Sequence, residues 1–269
     1  MPIIQEFIND RLLKRNWHYT LNRRLQSKGL DLRRFPNEYQ LAGFIPEVIN
    51  LLNQVDPSDL SHLLLLLEGC VEIKQRDGKI HSQLGQEALV ASLTRDVSNP
   101  FYLEIGAYHP YVYSNTAALR DSLSWDGISV DPSSATYSAF QAAGLLNRFR
   151  SVAVGPNSGI THFSERGALS STSSSKSPGS TAVEMISIKE LVSKLPSITY
   201  LSLDIEGGEF EILSAYPWDI SRPLIITVEH NYDLKIKTAI YRELKQFRYK
   251  RILDSLSNFE SWFVHSDIL

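Results

Sequence analysis

One stretch constrains this chain more than any other. Phe101-Tyr-Leu-Glu104-Ile-Gly106-Ala107-Tyr108-His109-Pro110 is an apolar run broken by a tight turn, and a second apolar run, Gly127-Ile-Ser-Val-Asp131, ends on a carboxylate. Glu104 and Asp131 stand 27 residues apart, about one strand–helix–strand unit. Such a unit builds a parallel sheet, and in open sheets of this kind the ligand crevice lies outside the carboxyl ends of the strands. A glycine there lets backbone approach a ligand, and the distal Asp131 accepts hydrogen bonds from ribose hydroxyls.

The turn argues against a nicotinamide dinucleotide. That fingerprint needs three glycines, the second letting backbone approach a pyrophosphate. Here bulky Tyr108 and His109 stand where the further glycines should fall. A ligand with a ribose and no pyrophosphate fits better, and S-adenosylmethionine is the obvious one.

Bulk properties narrow the field. A chain of 269 residues holds one large domain, or one domain and an appendage. Its net charge of −3 gives no global case for nucleic acid as a partner. With one cysteine, Cys70, an intramolecular disulfide is excluded, and the bland reading is a buried, inert thiol. The longest uninterrupted apolar run, Leu63–Leu67, is far short of the ~20 residues a membrane span needs. The first residues lack the pattern of a signal peptide, so a soluble, cytoplasmic protein is expected.

Residues 1–98 read as a helical N-terminal region and 99–269 as an α/β domain. The first forty residues carry eight basic against four acidic side chains, a face that is solvated or that touches an anionic partner. Asp56-Pro57-Ser58-Asp59 has the chemistry of a helix start, and Leu60, Leu63, Leu64 and Leu67 form the stripe that the helix buries. Beyond residue 99, Ser114 is the expected N-cap of a helix over 115–123. Ser133–Ala143 is the next helix, with Gly144 closing it. Arg150–Val154 is expected as a third strand and the serine-rich run Ser170–Thr181 as a loop, whether plain connector or lid. Strands over 199–204 and 224–229 follow, then an amphipathic helix to about 247 and an antiparallel pair, Tyr249–Asp254 with Ser261–His265.

A second constellation lies in Leu203-Asp204-Ile-Glu206-Gly207-Gly208-Glu209, where a strand ends in acids around a Gly-Gly turn. Glu209 and Glu211 are explained by the helix dipole alone. Asp204 and Glu206 are not, since they fall at the sheet edge where ligands bind. A third strand ends in Glu229-His230-Asn231, and a histidine there can exchange a proton near neutrality.

Taken together, residues 101–269 resemble the FkbM family of class I methyltransferases. The resemblance is carried by Glu104-Ile-Gly106-Ala107 with His109-Pro110, Ser114-Asn115-Thr116, and Trp125-x-Gly127-Ile-x-Val-Asp131-Pro132. It continues through Val152-Ala153-Val154-Gly155, Leu203-Asp204-Ile-Glu206-Gly207-x-Glu209, and Val228-Glu229-x-Asn231. It implies a Rossmann-like fold, a seven-stranded, mostly parallel sheet ending in an antiparallel hairpin. It further implies O-methylation of a sugar, glycan or small natural product with S-adenosylmethionine as cofactor. By the same resemblance Glu104, Gly106, Ala107 and Tyr108 border the methionine end, with Ser114, Asn115 and Thr116 at the mouth of the next helix. Asp131 and Pro132 attend the ribose, and Ala153 and Val154 lie near adenine. Asp204 borders both cofactor and acceptor.

Methyl transfer to a hydroxyl needs positioning and removal of the acceptor's proton. Asp204, Glu206 and His230 are the candidate bases or orienting groups. No metal is assigned; Asp204 and Glu229 are the hard ligands that would suit magnesium or calcium. A hydrolase is excluded, for the chain has no Gly-x-Ser-x-Gly elbow. The alternative from another class is a non-catalytic cofactor- or glycan-binding module that docks a partner through its basic helical N-terminus.

Overall fold

The structure is a computed structural model describing residues 56–76, 78–165, 170–173 and 178–268. The basic stretch in residues 1–40 therefore lies outside the described residues, as do 174–177 of the serine-rich run. Asp56 does cap a helical start: its Oδ1 accepts the Ser58 N–H at 2.9 Å, above a 3-10 turn at Pro57–Asp59. Helix α1, Leu60–Gln75, follows and buries Leu60, Leu63, Leu64 and Leu67, the stripe read from the sequence. Helix α2, Gln86–Leu93, packs against it.

The α/β texture beyond residue 99 folds as β1 (Phe101–Ile105), α3 (Ala117–Leu123), β2 (Asp126–Val130), α4 (Ser134–Ala142) and β3 (Phe149–Arg150). Then come β4 (Ala153–Gly155), β5 (Gly159–Ser164), β6 (Ser171–Ser173), β7 (Thr181–Ser187) and α5 (Ile188–Val192). The chain continues through β8 (Tyr200–Leu203), α6 (Glu209–Ser214), β9 (Ile225–Glu229), α7 (Leu234–Gln246), β10 (Tyr249–Ile252) and β11 (Glu260–His265). Seven strands form the main sheet in the order β10-β11-β9-β8-β1-β2-β3, parallel except for β11, which pairs antiparallel with both neighbours. The expected mostly parallel sheet with its antiparallel closing hairpin is the one observed.

Alternation along each strand sends side chains to two cores. Tyr102, Tyr200 and Trp262 meet α1 and α2 on one face. Leu103, Leu201, Ile226 and Phe263 meet Leu191, Leu213 and Ile240 of α5, α6 and α7 on the other. The result is three layers, with the strand reversal between β1 and β8 opening the crevice at the carboxyl edge.

Two sequence expectations are corrected. Arg150–Val154 is not one strand: β3 closes the main sheet at Arg150, and β4 begins a second, four-stranded sheet of order β4-β7-β5-β6. The serine-rich run is not all loop, because β6 pairs with β5 and Thr181 already opens β7. Polar Ser and Thr side chains hide such strands from hydropathy, and backbone pairing overrides their low apolar content.

Candidate functional site

Four strand ends build the floor. Register pairs Glu104 with Ser129 of β2 on one side and with Ser202 of β8 on the other, and pairs Ser202 with Thr227 of β9. A polar row thus crosses the sheet near its carboxyl edge, within strands that are otherwise apolar.

Glu104, 4% exposed, is the centre of that row. Its Oε1 accepts the Asn115 backbone N–H at 3.0 Å and the Ser114 hydroxyl at 3.4 Å. Its Oε2 accepts the Thr116 and Ser129 hydroxyls, each at 2.8 Å. The carboxylate therefore clamps the segment before α3 onto the sheet. The Ser114 hydroxyl accepts the N–H groups of Thr116 and Ala117, at 3.3 and 3.1 Å, but the helix begins two residues later than expected, with Thr116 rather than Ser114 at its N-cap. The Asn115 side chain donates to Ser202 Oγ at 2.9 Å.

Gly106 has φ +90°, and a Cβ added there would lie 1.4 Å from the Asp204 carbonyl oxygen. The neighbouring chain, rather than a ligand, is what requires glycine here. The Gly106 N–H meanwhile donates to the Val130 carbonyl at 2.9 Å.

Asp131 follows β2 with one oxygen, Oδ1, accepting the Ser133 N–H at 2.7 Å. Burial, reinforced by the Glu165 and Glu104 charges, pushes its carboxyl up to about 7. Glu165 crosses from the second sheet to the start of α4, where it accepts from the Ser133 hydroxyl and from the Ala135 N–H at 3.1 Å.

Across the cleft, Asp204, Glu206 and Glu229 each offer a carboxylate oxygen within 4.8 Å of the others. Glu229 is pushed strongly up, first by burial and then by the Asp204 charge, so it holds the proton and donates to Asp204. Asp204 is raised too, chiefly by burial. Asn231 Nδ2 bridges Glu206 Oε2 at 3.1 Å and Glu229 Oε2 at 2.9 Å. Three such carboxylates are also a donor set that a divalent cation could use. Glu209 faces inward, accepting the N–H groups of Ile205 and Gly207 at 3.1 and 2.9 Å, so its role is to cap its own turn.

One cleft brings together Glu104, Gly106, Tyr108, Asn115, Asp131, Pro132, Ala153, Val154, Asp204 and Glu206. Four residues singled out in the sequence stand apart from its wall. Ala107 is buried against Phe140 and Phe149. Ser114 and Thr116 lie behind the wall on Glu104. His230, 3% exposed, sets Nε2 2.9 Å from the Glu260 carbonyl while Nδ1 accepts the Tyr232 N–H at 3.2 Å. Those partners fix a neutral ring with both nitrogens engaged, and burial lowers its pKa further.

The cleft also holds residues that the sequence reading passed over. Tyr113 stacks on Tyr108 with centroids 6.3 Å apart, and both rings are exposed at the mouth. Phe163 and Thr172 come from the second sheet, Thr136 from α4, and Gln83 from the connection between α1 and α2. The one sequence signal for Ser129 and Ser202 is a lone hydroxyl in an otherwise apolar strand.

Comparison with known proteins adds the following. The profile described as "Methyltransferase FkbM domain" matches residues 104–251. None of the curated proteins compared with the chain matches it. Among solved structures, the SAH-bound methyltransferase PaMTH1 of Podospora anserina is 13% identical, with a TM-score of 0.38, covering 76% of this chain and 88% of its own. A Klebsiella pneumoniae protein provisionally named an O-methyltransferase is 12% identical, with a TM-score of 0.38, covering 82% of this chain and 96% of its own.

Proposed function

The chain belongs to the FkbM methyltransferase-domain family, and from that premise we propose that it methylates a hydroxyl of a sugar, glycan or small natural product, using S-adenosylmethionine. The observation that carries the reading is one cleft with a ribose-type acceptor, Asp131, on one side and the paired carboxyls of Asp204 and Glu229 on the other. The residues present suit the cofactor. Asp131, whose Oδ1 accepts the Ser133 N–H and whose carboxyl also meets the Thr136 hydroxyl, is placed to accept from a ribose hydroxyl, and apolar Val152, Val154 and Phe163 offer a flat base its walls. When bound, S-adenosylmethionine supplies an electrophilic methyl group.

The protein's own contribution is position and proton removal. Glu104 fixes Asn115 at the head of α3, and Gly106 lets β1 and β8 close on each other at the crevice. Asp204 is the proposed base. Burial raises its basicity toward neutral pH, where a general base works best, and Glu229 holds it in place by hydrogen bonding. Glu206, linked to Glu229 through Asn231, orients the acceptor. His230 is assigned a structural role, since its ring is fully engaged between the end of β9 and β11.

The test starts with calorimetry using S-adenosylhomocysteine, then follows its production from S-adenosylmethionine across neutral hydroxylated acceptors. Asp204→Asn should lower turnover by about 10²–10⁴-fold, the usual weight of a general base, while S-adenosylhomocysteine still binds. Unchanged turnover in Asp204→Asn and Glu206→Gln would overturn the assignment of the base. Binding without product from any acceptor would favour the binding-module alternative.

A further inference from the structure

We propose that Gln83 is a cofactor-binding residue, donating a hydrogen bond to the carboxylate of the amino-acid end of S-adenosylmethionine; this rests on the reading of the cleft as that cofactor's site. Gln83 lies outside residues 104–251, the family-matched segment, yet its side chain lines the same cleft as Glu104, Gly106 and Asn115.

The cleft is acidic. Its described lining carries five carboxylates, Glu104, Asp131, Asp204, Glu206 and Glu229, and no lysine, arginine or histidine. A zwitterionic amino acid brings a carboxylate into that acidic surround and needs donors to hold it. Among the described lining side chains only Gln83 and Asn115 carry N–H groups, and Asn115 already gives one to Ser202. The Gln83 amide has no hydrogen-bond partner among the described residues.

Its backbone is held as a binding residue's should be. Glu87, fully buried, accepts the N–H groups of His81 at 2.6 Å and Ser82 at 2.9 Å. Gln86 Oε1 accepts the Leu84 N–H at 3.1 Å, and Ser82 Oγ accepts the Gly85 N–H at 3.1 Å. The backbone N–H groups on both sides of Gln83 are thus tied to side chains. Gln86 in turn donates to Glu260 Oε1 at 2.7 Å, and Glu260 pairs in register with Glu229. His81 Nδ1 donates to the Tyr111 carbonyl at 3.0 Å, tying the connection to the loop after β1. These ties hold the connection that carries Gln83 to β9 and β11 on one side and to the loop after β1 on the other. The β1–β8–β9 half of the edge is where the amino-acid end would lie if the ribose sits on Asp131.

Calorimetry with two probes separates the outcomes. S-adenosylhomocysteine carries the amino-acid end, and 5′-methylthioadenosine lacks it. Gln83→Ala should weaken the first about tenfold, the weight of one hydrogen bond to a charged group, and leave the second unchanged. Gln83→Glu should weaken S-adenosylhomocysteine more, by setting like charges together. Unchanged S-adenosylhomocysteine affinity in Gln83→Ala, or an equal loss for both probes, would overturn the assignment of Gln83 alone. A wild-type protein that binds neither probe would overturn the cofactor reading, and this one with it.

Discussion

Replacing Glu104 by glutamine keeps the side chain's size and removes its charge. The native carboxylate takes four hydrogen bonds, two on each oxygen. An amide has one acceptor oxygen, and its orientation is decided by the Asn115 backbone N–H, which cannot turn. The oxygen therefore stays at the Oε1 position, and the NH₂ group faces the Thr116 and Ser129 hydroxyls, which rotate to accept. No donor is orphaned, so the loss is the charge assistance on four bonds, about 1 kcal/mol each. Not having to bury an ion returns about half of that. The net destabilisation is about 2 kcal/mol, which lowers Tm by about 4–8 °C for an ordered chain of this size. Glu104→Leu leaves the Asn115 N–H and the hydroxyls around it without an acceptor and should cost at least about twice as much. Thermal melting followed by circular dichroism reads both variants. A glutamine variant melting within about 1 °C of wild type, or a leucine variant no worse than the glutamine one, would refute the clamp, because the scale of about 2–4 °C per kcal/mol leaves no room for it.

Other expectations follow from the same geometry. Gly106→Ala should fail to fold, since its Cβ meets the Asp204 carbonyl at 1.4 Å, whereas Gly144→Ala, at φ +70° in open space, should cost only about 1 kcal/mol in a urea titration. Glu87 and Glu260 are buried carboxyls pushed up to about 7 by desolvation, so the folded state holds protons that the unfolded state releases. Their stabilisation is complete below about 4.5 and is lost as pH rises through 7, by at most about 3 kcal/mol each. Tm should therefore fall between pH 5 and pH 8, and a flat profile would contradict the burial argument. Asp131 is likewise raised to about 7, and its ionised form is the better acceptor for a ribose hydroxyl. S-adenosylhomocysteine affinity should then tighten from pH 6 to pH 8 in the wild type, and Asp131→Asn should bind more weakly with no such dependence.

Much of the frame was legible in the sequence because its signals are local. Apolar runs of four to six residues ending in Glu104-x-Gly106, Asp131, Asp204 and Glu229 mark strands whose carboxyl ends share one edge. The capping of α4 by Ser133 and its termination at Gly144 obey short-range chemistry. The second sheet was not legible, since β5, β6 and β7 are rich in Thr and Ser and are held by pairing between distant segments. Gln83 was hidden for a related reason. Its place in the cleft depends on buried Glu87, Gln86 and Glu260, a network whose Gln86–Glu260 contact spans 174 residues of chain.

The case of Glu229 against His230 shows how strand parity decides between neighbours. In β9, Ile225 belongs to the core beneath α1 and α2, while Ile226 and Val228 belong to the opposite core. Side chains alternate, so Thr227 and Glu229 continue the face of Ile225. On β8 the same count from Tyr200 runs through Ser202 to Asp204, and on β1 it runs from Tyr102 to Glu104. Every carboxylate that meets in the cleft at the ends of these three strands shares one parity, with a large aromatic or aliphatic residue of the α1–α2 core two or four positions earlier. His230 breaks the count by one, and its ring is spent on Glu260 and Tyr232 instead. Anchored on the buried residue of each strand, the count places Glu229, and not His230, among the carboxylates of the cleft.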